Sequence, residues 1–208
     1  KFIEKNGLFT QYDHFLVAFS GGADSSALLD FVCRYVAEHG GSVRAAHFNH
    51  GLRGDEARRD AEFCRVICRR KGVEFTLGEG DTRAISKEKG LSLEAAAREL
   101  RYAFLEEEAA RDGSLILTAH NSDDNLETML LNIIRGSGLK GAGGIPPRRS
   151  NIARPLLCCT RDEILTYCKE NSILFVTDST NLADDCSRNV IRHKVLPVLA
   201  GLNPAAVE

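Results

Sequence analysis

No apolar run in the 208 residues approaches the roughly 20 positions that a membrane-spanning helix needs, so no membrane role is expected. Strong charge of one sign is missing too. A formal net charge of -2 argues against a surface that coats nucleic acid generally, while leaving room for local basic patches. There are seven cysteines but no C-x-x-C pair. An odd number without scaffold spacing excludes a disulfide framework and points to a reducing, cytoplasmic compartment. Closely spaced ligand pairs for zinc or an iron–sulfur cluster are likewise absent, although Cys64 and Cys68 fall one helical turn apart and Cys158 and Cys159 are neighbours. Neither an internal repeat nor a low-complexity segment is present.

What is there fits one sizeable α/β domain. Apolar residues make up 43% and charged residues 27%, ordinary values for a globular chain. Short apolar runs alternate with longer amphipathic ones, which predicts βα units and a doubly wound, mostly parallel sheet with helices on both faces. Strands are expected at Phe15–Phe19, Val43–Phe48, Val73–Leu77, Leu115–Ala119 and Leu174–Thr177. Helices are expected over about Asp24–Glu38, Glu56–Lys71, Leu93–Arg111, from a Ser122 cap through an apolar stripe of Leu126, Met129, Leu130, Ile133 and Ile134, and over Ser187–Leu199 with Pro197 disturbing its end. Thr160-Arg161-Asp162-Glu163 reads as a capping box opening a further helix to about Asn171. Gly136–Asn151, with five glycines and two prolines, reads as a loop. Arg58, Arg59, Arg65, Arg69, Arg70 and Lys71 crowd one helix, where Asp55, Glu56, Asp60 and Glu62 balance them as a solvated face. The sequence opens at Lys1 and closes at Glu208 within a polar stretch, so a trimmed piece of a longer protein is expected.

The strongest chemical signal follows the first strand: Ser20-Gly21-Gly22-Ala23-Asp24-Ser25, then a helix. Glycines let backbone N–H groups close around an anion, and the helix N-terminus adds partial positive charge. Ser20 and Ser25 add hydroxyls. The run is neither G-x-x-x-x-G-K-[ST] nor G-x-G-x-x-G. Asp24 would repel a phosphate, and a magnesium ion between them resolves the conflict. Farther on, His120 ends a strand and Asp124 opens the next helix. Helical geometry turns Asp124, more than Asp123, towards a cleft, where it could share that metal with Asp24. The plainer alternatives are a satisfied corner histidine and carboxylates that complement a helix dipole.

The glycine run resembles the pyrophosphatase-loop (PP-loop) motif of the adenine-nucleotide α-hydrolase-like superfamily. That resemblance implies cleavage of ATP between the α and β phosphates, at the carboxyl ends of the strands. Four more segments resemble the tRNA(Ile)-lysidine synthetases: His47–Gly54, Ala97–Tyr102, Thr118–Thr128 with Arg135–Gly138, and Ser187–His193. Together they span about Phe15 to Asn203. Asn121 and Asn125 stand where the family commonly has histidine and often has glutamine, and neither is assigned to the chemistry.

The resemblance implies ATP and Mg2+ as cofactors, with L-lysine and a tRNA(Ile) carrying a CAU anticodon as partners. It makes Asp24, His120 and Asp124 the expected catalytic residues and Asp24 and Asp124 the metal ligands. Ser20, Gly21, Gly22, Ala23, Asp24, Ser25, His50 and Arg53 are expected to bind ATP. Arg98, Arg101, Glu127, Arg135, Arg188 and Arg192 are expected to meet substrate or tRNA. For Arg98 and Arg101 the simpler alternative is pairing with Glu94 or Glu106. By family habit residues 1–199 form the ATP-binding catalytic domain, 200–208 begin a linker to a tRNA-binding region, and the protein is a homodimer. The rivals are a PP-loop tRNA thiolase, which generally displays C-x-x-C pairs, a metabolite ligase of the NAD- or GMP-synthetase kind, and a non-catalytic nucleotide-binding module.

Overall fold

A computed structural model describes residues 1–52, 54–138, 143–177 and 187–203. Its centre is β1 (His14–Ala18), where Phe15, Leu16 and Val17 are all buried, an unbroken apolar run suited to a strand covered on both faces. β1 pairs in parallel with β2 (Ser42–Asn49) on one side and with β4 (Leu115–Leu117) on the other. β3 (Glu74–Glu79) adds in parallel to β2. Beyond β4 comes β6 (Ile152–Ala153), also parallel, closed by an antiparallel β5 (Arg148–Arg149). The order β3-β2-β1-β4-β6-β5 therefore reverses direction between β1 and β4, and the carboxyl ends of those two strands frame a crevice.

Side-chain alternation sends the strands' residues to two cores. Phe15, Val17, Leu115 and Leu117 pack with Leu28, Leu29 and Val32 of α2 (Ala23–His39) and with Cys64, Ile67 and Cys68 of α3 (Asp55–Lys71), after the short α1 (Phe2–Lys5). Leu16, Ala46 and Ile116 face the other way, against Leu105 and Ala109 of α5 (Leu93–Ala110), which follows α4 (Thr82–Lys89). α6 (Ser122–Ile134) and α7 (Arg161–Glu170) come next, and a last helical stretch runs through α8 (Ser187–Val190), a π-turn (Ile191–Val195) and α9 (Leu196–Leu202).

Several sequence expectations need correction. Leu174–Thr177 forms no strand; it lies across the glycine loop, joined by a single bond from Val176 N–H to the Gly21 carbonyl at 2.9 Å, which gives no ladder to build on. The glycine-rich segment ends in the β5–β6 hairpin, whose two-residue strands are too short to leave a period in the sequence. Residues 139–142 of that segment lie outside the described residues. α4 was missed, although Asp81 caps it and left-handed Gly90 ends it. Asn121, not Ser122, caps α6. The apolar stripe of α6 stays open at its end, with Ile133 and Ile134 55% and 69% exposed, while Glu127 is the side chain buried completely. The last helix passes through Pro197, which sits in the first turn of α9, where its missing N–H costs least.

Burial of Cys64 and Cys68 raises both thiols, Cys68 to about 12, so they act as small core residues. On α3, Arg58, Arg59 and Arg65 pair with Asp55, Glu56 and Glu62 three residues earlier, a solvated charged face. No helix among the described residues is long and apolar enough to cross a membrane.

Buried Asp30 ties three helices together. It accepts from Arg34 at 2.8 Å on its own helix, from Lys71 of α3 at 2.6 Å and from the Tyr167 hydroxyl of α7 at 2.8 Å. Burial opposes the carboxylate, but the bonds from Lys71 and Tyr167 outweigh it and hold the pKa below the ordinary 3.8. The charge thus stabilises the fold above the unfolded-state value, and that contribution is lost as pH falls through the lower folded one. Asp30→Asn is expected to cost about 2 kcal/mol at pH 7, and urea denaturation should show the gap to the parent closing below about pH 4.

Candidate active site

The site is built where three helices begin. Leaving β1, the chain turns at Gly21, which has φ +86. A Cβ there would meet Cys64 Sγ at 3.1 Å and Phe63 and Val176 at 3.2 Å, so backbone conformation and space both call for glycine. Ser20 and Ser25 share a hydroxyl bond of 3.0 Å, Ser25 Oγ donates to the Gly22 carbonyl at 3.0 Å, and Ser26 Oγ donates to the Gly21 carbonyl at 3.3 Å. These bonds shape the loop from inside. No side chain caps α2 or α3, whereas α4, α5, α6 and α7 are capped by Asp81, Ser92, Asn121 and Thr160. The opening N–H groups of α2 are left to an anion.

Asp24 in the first turn of α2 and Asp124 in the first turn of α6 border one cavity of about 800 Å3. Burial raises the Asp24 pKa; Arg161 opposes the shift and Asp124 adds to it. The structure sends Asp123 elsewhere: its Oδ2 accepts the Arg161 backbone N–H at 2.7 Å. Buried Asn121 caps the helix that carries Asp124. Its Oδ1 accepts the Asp124 N–H at 2.9 Å, its own N–H donates to Asp124 Oδ2 at 3.1 Å, and its side chain also favours the charged form of Asp24. Among the described residues, Asp24 Oδ1 is buried without a hydrogen-bond partner, an orphaned acceptor suited to a cation. No group of three or more His, Cys, Asp or Glu among the described residues is arranged to hold a metal. Two carboxylates completed by phosphate oxygens and water suit magnesium.

The cavity lining is also basic. Arg98 and Arg101 of α5 and Arg188 of α8 line the cavity with His120. The guanidinium groups of Arg98 and Arg101 lie over the Tyr102 ring, 4.9 and 5.4 Å from its centre, and neither pairs with a carboxylate among the described residues. Glu94 lines the cavity too, and the expected pairing with Glu94 or Glu106 is not made. His120 bonds Thr118 Oγ1 through Nδ1 at 3.0 Å. Burial, then the charges of Arg154, Arg101, Arg98 and Arg188, push its pKa down to about 3, so the ring is neutral at pH 7.

The structure separates the remaining expected residues. Ser20, Gly22, Ala23, Ser25 and His50 line the cavity, and Arg53 lies outside the described residues. Glu127 and Arg192 stand behind the wall: fully buried Glu127 accepts from Arg192 Nε at 2.6 Å and faces Arg188 Nε at 3.4 Å. Arg192 also reaches Asp124 at 3.7 Å, and Arg188 donates to Thr128 Oγ1 at 3.1 Å. This lattice fixes the last helix to α6 and orients Asp124. Exposed Arg135 ends α6 away from the cavity. The sequence reading missed Asn121, Arg154 and Arg161. Arg161 sat inside a recognised capping box, but its ion pair with Asp24, 137 residues away in sequence, leaves no local trace.

A switch-point crevice with an uncapped, glycine-turned helix N-terminus defines an α/β nucleotide-binding domain of the pyrophosphate-cradling kind. A family model described as the PP-loop domain matches residues 1–199, and the chain belongs to that ATP-binding family. The tRNA(Ile)-lysidine synthase of Bacteroides thetaiotaomicron is 46% identical over 206 residues, covering 99% of this chain and 47% of that protein. The protein of the same name from Dehalococcoides mccartyi is 41% identical, covering 100% and 46%, and that from Petrotoga mobilis is 37% identical, covering 98% and 66%. The chain spans about half the length of the first two. Among solved structures, the U34-tRNA thiolase NcsA from Methanococcus maripaludis with its 4Fe-4S cluster superposes with a TM-score of 0.76 at 16% identity, covering 99% of this chain and 72% of its own. That is a likeness of fold.

Two outcomes test the geometry. Gly21→Ala is expected to cost about 1–2 kcal/mol of stability and to weaken binding of a fluorescent ATP analogue further than that loss explains. Because His120 refuses a proton in the fold that the unfolded chain takes up between its ordinary 6.5 and about 3, stability falls as pH drops through that window. His120→Gln should flatten the slope; equal slopes for parent and variant between about pH 6 and pH 4 would contradict the buried neutral ring.

Proposed function

We propose that this chain carries the chemical site of a tRNA(Ile)-lysidine synthase. The cytosine at the first anticodon position of a tRNA(Ile) with a CAU anticodon attacks the α-phosphate of ATP through its C2 carbonyl oxygen, displacing pyrophosphate. Free L-lysine then attacks C2 through an amine nitrogen and expels AMP, leaving lysidine. The observation that carries this reading is the pairing of an uncapped α2 N-terminus with Asp24 and Asp124 across one cavity. The identity to proteins of that name along nearly the whole chain supports the choice of substrate.

In this reading the first-turn N–H groups of α2 with Ser20 and Ser25 receive the leaving pyrophosphate, where charge builds up in the transition state. Asp24 and Asp124 hold Mg2+, which neutralises phosphate charge when bound. Neutral His120, fixed by Thr118, positions a phosphate oxygen by donating a hydrogen bond; a pKa near 3 makes it a poor proton acceptor. Arg98, Arg101 and Arg188, the first two stacked on Tyr102 and unpaired with a carboxylate among the described residues, meet the anionic groups of substrate or RNA backbone. An anticodon loop presents an unpaired base to such a cavity more readily than a duplex does.

Incorporation of labelled lysine into CAU-anticodon tRNA(Ile), with ATP and magnesium, is the test. Asp24→Asn and Asp124→Asn are each expected to lower the rate at least about 100-fold. Pyrophosphate release that depends on tRNA but leaves lysine unincorporated would overturn the lysine step and favour a different acceptor reaction, such as thiolation.

A further inference from the structure

Arg161 has no part in the reaction as described, yet it holds the carboxylate on which the cation site depends. Its guanidinium pairs with Asp24 through Oδ2, leaving Oδ1 unbonded. The backbone beneath it is fixed from three sides. Its N–H is bound by Asp123 Oδ2 at 2.7 Å, the Thr160–Glu163 capping box closes around it, and Ser122 N–H holds the Cys159 carbonyl at 2.9 Å. The side chain, by contrast, is 41% exposed and borders the cavity. The base is held by the backbone, while the charged end reaches Asp24 with solvent beside it.

A divalent cation on Oδ1 and the guanidinium on Oδ2 would lie within a few ångströms of each other across one carboxylate, so each weakens the other's hold on Asp24. We infer that Arg161 is a built-in competitor for the cation: it occupies Asp24 in the empty site and releases it when a nucleotide's phosphates arrive to take up the guanidinium. Held by the α7 N-terminus, the released group stays inside the cavity. Binding of the cation thereby becomes conditional on the nucleotide, and free metal is kept from the two carboxylates. The inference rests on the reading that Asp24 and Asp124 hold a divalent cation.

Mn2+ binding, followed by electron paramagnetic resonance of the free ion, separates the two ideas. Titrations would use the parent, Arg161→Gln, Arg161→Met (which keeps the aliphatic stem should glutamine unsettle the fold) and Arg161→Gln with Asp24→Asn. Each would be run with and without α,β-methylene-ATP, whose bridging carbon blocks the displacement of pyrophosphate. Without nucleotide, the uncharged variants are expected to bind Mn2+ on the order of tenfold more tightly than the parent, and Asp24→Asn should abolish the gain. The tightening of Mn2+ binding by the analogue should shrink by a similar factor. Binding in the parent that needs Asp24 but is unchanged or weakened without Arg161 would overturn this inference alone. Mn2+ binding that ignores Asp24 even with the analogue present would overturn the cation reading and this inference with it.

Discussion

The confrontation of Asp24 with Asp124 is the constraint around which the site is arranged. Two carboxylates brought to one cavity from the first turns of different helices repel, and burial sharpens the repulsion. Each has its own compensation. Asp24 pairs with Arg161, and Asp124 accepts the Asn121 N–H and faces Arg192. The helix N-termini contribute as well, since their partial positive charge favours an acid in the first turn. The arrangement is balanced without a ligand, yet it leaves an acceptor atom of Asp24 unbonded.

Such balance requires that the three helices keep their places, and the packing provides this. The apolar centre of β1 anchors the sheet, and α2 leaves from its carboxyl end at the switch point. Asp30 binds α2 to both α3 and α7, which ties the helix carrying Asp24 to the helix carrying Arg161. On the far side, Glu127 with Arg188 and Arg192 fastens the last helix to α6. Removing one member of a buried cluster like this leaves its partners unpaired, which is far costlier than the cluster's net contribution suggests.

The cavity brings Asp24, Asp124 and an uncapped helix together with arginines and a histidine kept neutral by burial and by their charge. A ligand with separate anionic groups, one of them carrying a cation, matches this lining. This is the charge pattern of a metal-bound triphosphate beside a second anionic substrate.

Sequence alone determined the parallel strands β1 to β4 and the glycine loop, because short apolar runs and a glycine at positive φ are local requirements that each segment must meet by itself. Helical phase likewise turned Asp124, and not Asp123, to the cavity. The tertiary structure decided what depends on residues far apart in the chain. Asn121 looked like a departure from a motif and caps the helix that carries Asp124. Arg161 read as part of a cap and proved to hold Asp24. Glu127 and Arg192 read as substrate contacts and proved to pair with each other behind the wall. The apolar stripe of α6 failed as a guide because buried Glu127 faces arginines about 60 residues later in the chain. Local pattern records what a segment requires of its own backbone; which charge meets which is fixed only when the helices are brought together.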